Sequence, residues 1–284
     1  MPALTLHPAP EVAPPALHAA FVAAFADYLA GPFELPLAAW PGFLARQGIA
    51  LAQSRVVRGA DGAVLAFAFV APRPAARRWR LATMGAVPAA RGRGAAPALL
   101  DDLLQRARAA GLEGVELEVF ERNERARRLY AGRGFEARHR LDGWRHEPAP
   151  DAAGPARPAA AEPVDLDTAA AWLARADAAC PELPLQVLAP AVAGLEAPFV
   201  ALQRGRAQLL ASAPATGPLR IASLVDLDPR QADAQALVEA LLAQHPGRAV
   251  VVPQLQREDV GGAALHRAGF AALPLHQQWM RWRP

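Results

Sequence analysis

Met84-Gly85-Ala86-Val87-Pro88-Ala89-Ala90-Arg91-Gly92-Arg93-Gly94-Ala95-Ala96 follows an apolar, strand-like run and leads into a helical one. In the helical run Leu99, Leu100, Leu103, Leu104 and Ala107 share one face while Asp101, Asp102, Arg106 and Arg108 share the other, which is the period of an amphipathic helix. A strand that passes through a glycine turn into a helix start presents backbone N–H groups with no partner inside the helix, and the helix dipole adds about half a positive charge there. That combination suits a phosphate. Gly92 and Gly94 lack a Cβ and allow close approach, and Arg91 and Arg93 add positive charge. Pro97 has no N–H, which removes one donor from the first helical turn at a position where proline is otherwise tolerated. The spacing is neither a Walker A loop nor the full Rossmann fingerprint. Two other readings stay open, a plain loop ahead of a helix and a fragment of an arginine-glycine RNA-binding segment.

Further along, Leu117-Glu118-Val119-Phe120-Glu121-Arg122-Asn123-Glu124-Arg125-Ala126-Arg127-Arg128-Leu129-Tyr130-Ala131-Gly132-Arg133-Gly134-Phe135 reads as a strand, a turn and a short helix. Val115-Glu116-Leu117-Glu118-Val119 alternates as a half-buried strand, with Glu116 and Glu118 on the face opposite the apolar residues, open to solvent in the simplest reading. Asn123 is among the best helix N-caps. Tyr130 fits a core-edge aromatic against Phe135.

The Arg-x-x-Gly-x-Ala of Arg91 to Ala96, followed by Asn-x-x-Ala-x-x-Leu-Tyr-x-x-x-Gly-Phe from Asn123 to Phe135, resembles the GNAT superfamily of acyl-CoA-dependent N-acetyltransferases. The resemblance implies acetyl-CoA as co-substrate, with the segment from Arg91 through Gly92, Arg93, Gly94 and Ala95 to Ala96 around the pyrophosphate, Ala96 standing for the last glycine. It implies that backbone groups of Gly85, Ala86 and Val87 pair with pantetheine, one N–H polarising the thioester carbonyl. It also implies that Asn123 contacts the CoA chain and that Tyr130 protonates the leaving thiolate, since a phenol with a reference pKa of ~10 is protonated at neutral pH. Glu118 resembles the glutamate base of ribosomal-protein N-terminal acetyltransferases, although a water chain serves in many members. For the amine acceptor, Asp27, Tyr28, Phe33, Glu34 and Trp40 combine aromatic surface with negative charge, or Phe33 and Trp40 simply pack helices.

The 284 residues suit two domains better than one. A Pro/Ala run from Pro148 to Pro163 holds five prolines and no hydrophobic period, so a linker is expected there between domains 1–147 and 164–284. Up to Glu147 the chain has 19 Arg against 14 acidic residues, a net +5, and from Pro148 onward 11 against 13, so the first half is the expected home of an anionic ligand. Gly134-Phe135 and Trp144 recur as Gly269-Phe270 and Trp279, and both halves run hairpin, strand, helix, strand, short helix, strand. With the resemblance, this predicts an α/β chain of the α+β type: two tandem GNAT-like domains, each a mixed, mostly antiparallel central sheet flanked by helices. At the matching offset the second half has Leu265 for Tyr130, Glu258 for Asn123 and Pro253 for Glu118, has no glycine between Pro218 and Pro246, and places Asp226, Asp228 and Glu258 where phosphates would be repelled. His266, one position from the tyrosine slot, reads as a surface histidine.

All 30 basic residues are Arg, and the chain has one Asn and two Tyr, a bias that makes arginine richness a poor sign of nucleic-acid binding. A net charge of +3 over the whole chain argues the same way, so no nucleic-acid partner is expected. Cys180 is the only cysteine, which excludes an internal disulfide and a cysteine metal cluster, and no metal is expected. No apolar stretch reaches the ~18 residues of a membrane span and the first residues lack a signal-peptide layout, so a cytoplasmic protein without a membrane partner is expected. A small-molecule or peptide amine is the expected partner, and a homodimer is compatible with the second half. A non-catalytic acyl-CoA sensor is the competing reading.

Overall fold

The computed structural model describes residues 5–148 and 161–284. The chain divides into two compact units, Met1–Arg138 together with Trp279–Pro284, and His139–Gln278. The first contains β1 (Leu6–Pro8), α1 (Pro14–Phe25), α2 (Trp40–Arg46), β2 (Arg55–Arg58), β3 (Val64–Arg73), β4 (Arg78–Ala86), α3 (Ala95–Ala109), β5 (Gly114–Phe120) and α4 (Glu124–Ala131). Its strands lie in the order β1-β2-β3-β4-β5. All neighbouring pairs are antiparallel except β4 and β5, which are parallel and joined through α3.

The sequence of β3 explains the two layers. Ala66, Ala68 and Val70 face one side and pack with Leu99, Leu100, Leu103 and Leu104 of α3, whereas Phe67 and Phe69 face the other and pack with Leu17 and Phe21 of α1 and with Trp40 and Phe43 of α2. Small side chains let α3 lie close to the sheet, and rings fill the wider space under α1 and α2. Each fully buried leucine or phenylalanine contributes roughly 1.5–3 kcal/mol.

Two features shape the middle of this sheet. Ala82 is an extra residue in β4, because Phe69 pairs with Thr83 and Val70 with Leu81. A bulge of this kind bends its strand. Pairing of β4 with β5 covers only Arg78–Gly114, Trp79–Val115 and Arg80–Glu116. Beyond Arg80 and Glu116 the two strands part, leaving an open gap between Leu81–Ala86 and Leu117–Phe120.

The second unit contains β6 (Glu136–His146, which begins in the first unit), β7 (Glu162–Pro163), α5 (Leu166–Ala179), α6 (Ala189–Ala193), β8 (Phe199–Arg204), β9 (Ala207–Ser212), β10 (Leu219–Asp226), α7 (Ala232–Gln244), β11 (Val250–Gln256), α8 (Gly262–Arg267) and β12 (Ala271–Trp282, which ends in the first unit). Its strand order is β12-β6-β11-β10-β9-β8-β7. The plan of the first unit recurs: β8, β9 and β10 are antiparallel, Ala222 is an extra residue in β10, and β10 runs parallel to β11 through α7, pairing only at Leu219–Val250 and Arg220–Val251. The fold is thus a mixed, mostly antiparallel sheet flanked by helices in each unit.

The divisions of the chain differ from those expected at 147 and 164. Residues 149–160 of the expected linker lie outside the described residues, and Glu162–Pro163 at its end is strand, paired with Leu202 and Gln203 of β8. The first unit ends at Arg138 and regains the last six residues of the chain. Met280 and Trp282 are buried in the same core as Leu99 and Leu117, and the Arg108 guanidinium lies 4.8 Å from the Trp282 ring centre. A Cβ on Gly114 would run into the Trp282 carbonyl, so glycine at 114 is what admits the chain end beside β5. Apolar residues so far along the chain cannot be assigned to the first core by periodicity. Among the described residues, no helix is long and apolar enough to cross a membrane.

Candidate active site

The segment between β4 and α3 has the backbone that its glycines foretold. Gly92 and Gly94 have φ of +76° and +84°, and Gly94 is the left-handed N-cap of α3 with no side-chain cap. L-residues reach this conformation only at a cost, so glycine is required at both positions. The first helical bond is from Ala98 to Gly94, and the N–H groups of Gly92, Arg93, Gly94, Ala95 and Ala96 find no acceptor among the described residues. Five open amides at the start of a fifteen-residue helix form a site for an anion.

The two arginines here differ. Arg93 is exposed and makes no ion pair among the described residues, so it is available to an anion above the turn. Arg91 is engaged: its guanidinium forms a two-point ion pair with Asp27 and also donates to the backbone carbonyls of Ala24 and Ala86. The pairing with Arg91 holds the Asp27 carboxyl below its ordinary range.

On β4 the expected pantetheine contacts are revised. The Val87 N–H donates to Leu65 O at 2.9 Å, and Ala86 pairs with Ala66 and Gly85 with Phe67. By the alternation of an antiparallel ladder, Gly85 and Val87 turn their amides to β3, while Met84 and Ala86 turn theirs to the gap. Gly85 has a packing reason: a Cβ there would come within 2.9 Å of the Phe67 ring and 3.0 Å of the Ala24 Cβ. Of the three backbone contacts expected, only Ala86 therefore addresses the gap, and Met84 joins it. Alternation relative to β3 was the available signal.

At the far end of the gap, the Asn123 Oδ1 accepts from the Ala126 N–H at 3.2 Å and caps α4. Tyr130, one helical turn and a half further on, is only 8% exposed and packs against Phe135 with ring centres 5.7 Å apart. Burial, and then the neighbouring Tyr28, push the Tyr130 phenol up from its ordinary value. Tyr28, expected near the acceptor, lies instead within this group: its hydroxyl hydrogen-bonds the Asn123 side chain, and its ring meets those of Phe25 and Phe120 at 5.0 and 5.9 Å.

Glu118 lies just past the last β4–β5 pair. Its side chain is 3% exposed and its Oε2 is 2.7 Å from Arg80 Nη2, while Arg80 also donates to the backbone carbonyl and Oε1 of Gln47. Glu116 is fully buried between Arg73 at 2.6 Å and Arg78 at 3.1 Å. Burial raises the Glu116 carboxyl against the opposing pull of Arg73 and Arg78. The solvated-face reading of these two glutamates is therefore wrong. Alternation identified the face correctly but not that arginines, themselves buried, cover it. Three arginines in the β3–β4 segment were the signal that could have suggested partners.

Around the presumed acceptor side, Trp40 is core, stacked on Phe43 at 5.5 Å, which bears out the packing reading for it. Phe33 is half core and half surface: its ring meets Phe21 and Phe43 at 5.3 and 5.7 Å, yet it is 39% exposed. Glu34 is exposed beside it.

The second unit lacks the cradle for a visible reason. Asp226 Oδ2 accepts from the Ala234 N–H at 2.9 Å and Oδ1 from the Asp228 N–H at 2.8 Å, so a buried carboxylate of the chain itself caps the start of α7. Gln231 takes the left-handed position that Gly94 takes in the first unit, with φ of +52°. His266 is exposed, as a surface histidine should be. Among the described residues, no group of three or more His, Cys, Asp or Glu is placed to hold a metal ion.

A strand gap beside an uncapped glycine cradle, repeated in outline but sealed in the second unit, defines an acyltransferase-type α/β architecture. The description "Acetyltransferase (GNAT) family" matches residues 20–135, which contain α3, β5, α4 and the cradle, and this segment belongs to that family. In structure the chain is similar to a GCN5-related N-acetyltransferase from Sphaerobacter thermophilus (TM-score 0.62, 16% identity, 99% of this chain and 96% of that one). It is also similar to one from Anabaena variabilis (TM-score 0.64, 16% identity, 98% and 72%) and one from Kribbella flavida (TM-score 0.62, 17% identity, 99% and 72%). At these identities the likeness speaks for the fold over both units. No curated protein matches the chain.

Proposed function

We propose that the first unit transfers an acetyl group from acetyl-CoA to a primary amine, by direct attack within a ternary complex. The observation that carries this reading is the set of open amides from Gly92 to Ala96 beside the β4–β5 gap, with Tyr130 at the end of that gap. The amides and Arg93 would hold the diphosphate, Met84 and Ala86 would pair with the pantetheine amides, and Asn123 would contact the same chain. When bound, acetyl-CoA supplies an activated acetyl thioester, and transfer forms the C–N bond as the C–S bond breaks. Tyr130 delivers its hydroxyl proton to the departing sulfur and regains one from solvent. Its raised pKa keeps that proton in place at neutral pH. The amine must lose a proton, and Glu118 is the acceptor within reach of the gap. Arg80 holds its carboxylate ionised and oriented, so the proton reaches it through water. Holding amine and thioester together supplies most of the acceleration such a site requires, with no covalent enzyme intermediate.

The acceptor is a small amine or a peptide N-terminus. Isothermal titration with CoA and acetyl-CoA, beside thiol release over an amine panel, tests the reading. Tight CoA binding with no thiol released on any amine would favour a non-catalytic acyl-CoA sensor, and absence of CoA binding would remove both.

A further inference from the structure

The chain has a single asparagine and only two tyrosines, and all three meet at one place. Asn123 caps α4, Tyr130 lies on α4, and Tyr28 arrives from the loop after α1, nearly a hundred residues earlier, with its hydroxyl on the Asn123 side chain. The reach is built. Tyr28 N–H donates to Phe25 O at 3.3 Å and Gly31 N–H to Tyr28 O at 2.9 Å, so the loop is folded back on the end of α1. The Tyr28 ring is then held by Phe25 on one side and Phe120, the last residue of β5, on the other. Asp27, the residue before it, is fixed to Arg91 in the cradle. Two consecutive residues thus tie one loop to both elements that the cofactor would touch.

Asn123 makes two bonds of different kinds. Its Oδ1 accepts from the α4 backbone, and its side chain also meets the Tyr28 hydroxyl. Neither bond alone fixes the plane of the amide, but together they do. Tyr130 packs in the same group, and the hydroxyls of Tyr28 and Tyr130 are close enough that ionising one would oppose ionising the other.

Resting on the acetyl-transfer reading above, we propose that Tyr28 is a positioning residue: its hydroxyl sets the Asn123 amide and, beside it, the Tyr130 hydroxyl, so that the loop after α1 completes the site. Tyr28 is accordingly not an acceptor contact. The acceptor loop and the cofactor contact are coupled through one hydrogen bond, and movement of that loop alters how the CoA chain is gripped.

The test is a double-mutant cycle on the full-length protein, read by CoA titration and by turnover, with thermal midpoints as a check on folding. Removal of a hydrogen bond of this kind corresponds to roughly a fivefold to tenfold effect. Tyr28→Phe keeps the ring, so CoA should bind about fivefold more weakly, Asn123→Ala about tenfold, and the double variant no worse than Asn123→Ala alone, because the pair acts as a unit. In turnover Tyr28→Phe should lower kcat with little change in the KM of the amine. Multiplying losses in the CoA cycle, or Tyr28→Phe binding CoA as the unaltered protein does, would overturn the proposal. A rise in the amine KM at constant kcat would return Tyr28 to the acceptor. If the unaltered protein binds CoA but releases no thiol, the transfer reading fails while the binding cycle still reports on Tyr28.

Discussion

Asp27 and Arg91 form a two-point ion pair, Oδ2 to Nη1 at 2.5 Å and Oδ1 to Nη2 at 2.6 Å, across 64 residues of sequence. The first residue of the phosphate motif therefore reaches back to α1 instead of forward to a ligand. Its role is to fix the turn, leaving the amides and Arg93 for the anion.

The pair places a carboxylate near a site meant for phosphates, and its electrostatic effect is measurable. Asp27→Asn should keep a hydrogen bond to Arg91, remove the negative charge and tighten CoA binding about twofold to fivefold at low salt. The gain should shrink as ionic strength rises, since the screening length falls from ~30 Å at 0.01 M to ~3 Å at 1 M. Because the carboxyl is held below its ordinary pKa, the same ratio is expected from pH 5 to 8. Weaker CoA binding in Asp27→Asn would mean that the charge is needed to hold the turn.

Gly94→Asp tests the cradle directly. A side chain at φ of +84° is strained, and a carboxylate at the N-cap would take the amides for itself. CoA affinity should fall at least tenfold while the far-ultraviolet dichroism stays unchanged. An unaltered titration would remove the diphosphate from this site.

Tyr130→Phe removes one hydroxyl and leaves the ring on Phe135. Turnover should drop about 10²-fold, the usual scale for one acid–base group, with CoA affinity kept. The sign of the pH effect also follows. A phenol raised above its ordinary value stays protonated where a free tyrosine would ionise, so kcat should hold its plateau through pH 10 with no alkaline fall. Folding stability from this group is full below the unfolded value of ~10 and declines above it. An alkaline limb near pH 8 in kcat would point to another acid.

Much of this was legible in the sequence because the physics is local. A left-handed turn shows as Gly92 and Gly94, an N-cap as Asn123, and a helix face as Leu99, Leu100, Leu103 and Leu104. Partners were not legible. Nothing near Arg91 announces Asp27, nothing near Glu116 announces Arg73 and Arg78, and the turn of the Val87 amide toward Leu65 depends on the register of β3. The division at residue 147 failed for the same reason: a strand can end in a unit that its neighbours in sequence do not share.

The chain end makes that point testable. Trp282 is 2% exposed in the core of the first unit, beside Leu99 and Leu117. Trp282→Ala should cost about 3–5 kcal/mol. Loss of Trp279–Pro284 should cost more and should abolish CoA binding, although no motif residue is touched. A protein ending at Glu147 is then expected to fail as a CoA binder, since it lacks Met280 and Trp282. Full CoA affinity in the shortened chain would show that the β5 edge closes without them.

The two units repeat one plan, and the number of cofactors bound measures how far the repeat extends. In the second unit the amide of Ala234 is already satisfied by Asp226, whose carboxylate is 1% exposed and also holds the Asp228 amide. A diphosphate would have to displace a buried, doubly bonded carboxylate and then lie against its charge. Removing that carboxylate does not create a site, because Gln231 cannot give the open backbone of Gly94 and an unsatisfied buried N–H costs about 1–3 kcal/mol in stability. Titration should therefore give one CoA per chain in the unaltered protein and still one in Asp226→Ala, at an unchanged affinity and a lower thermal midpoint. Gly94→Asp should weaken that one site without exposing another. Two equivalents of CoA in any of these proteins would show that the second unit binds the cofactor by a route that needs neither the glycine turn nor the open amides.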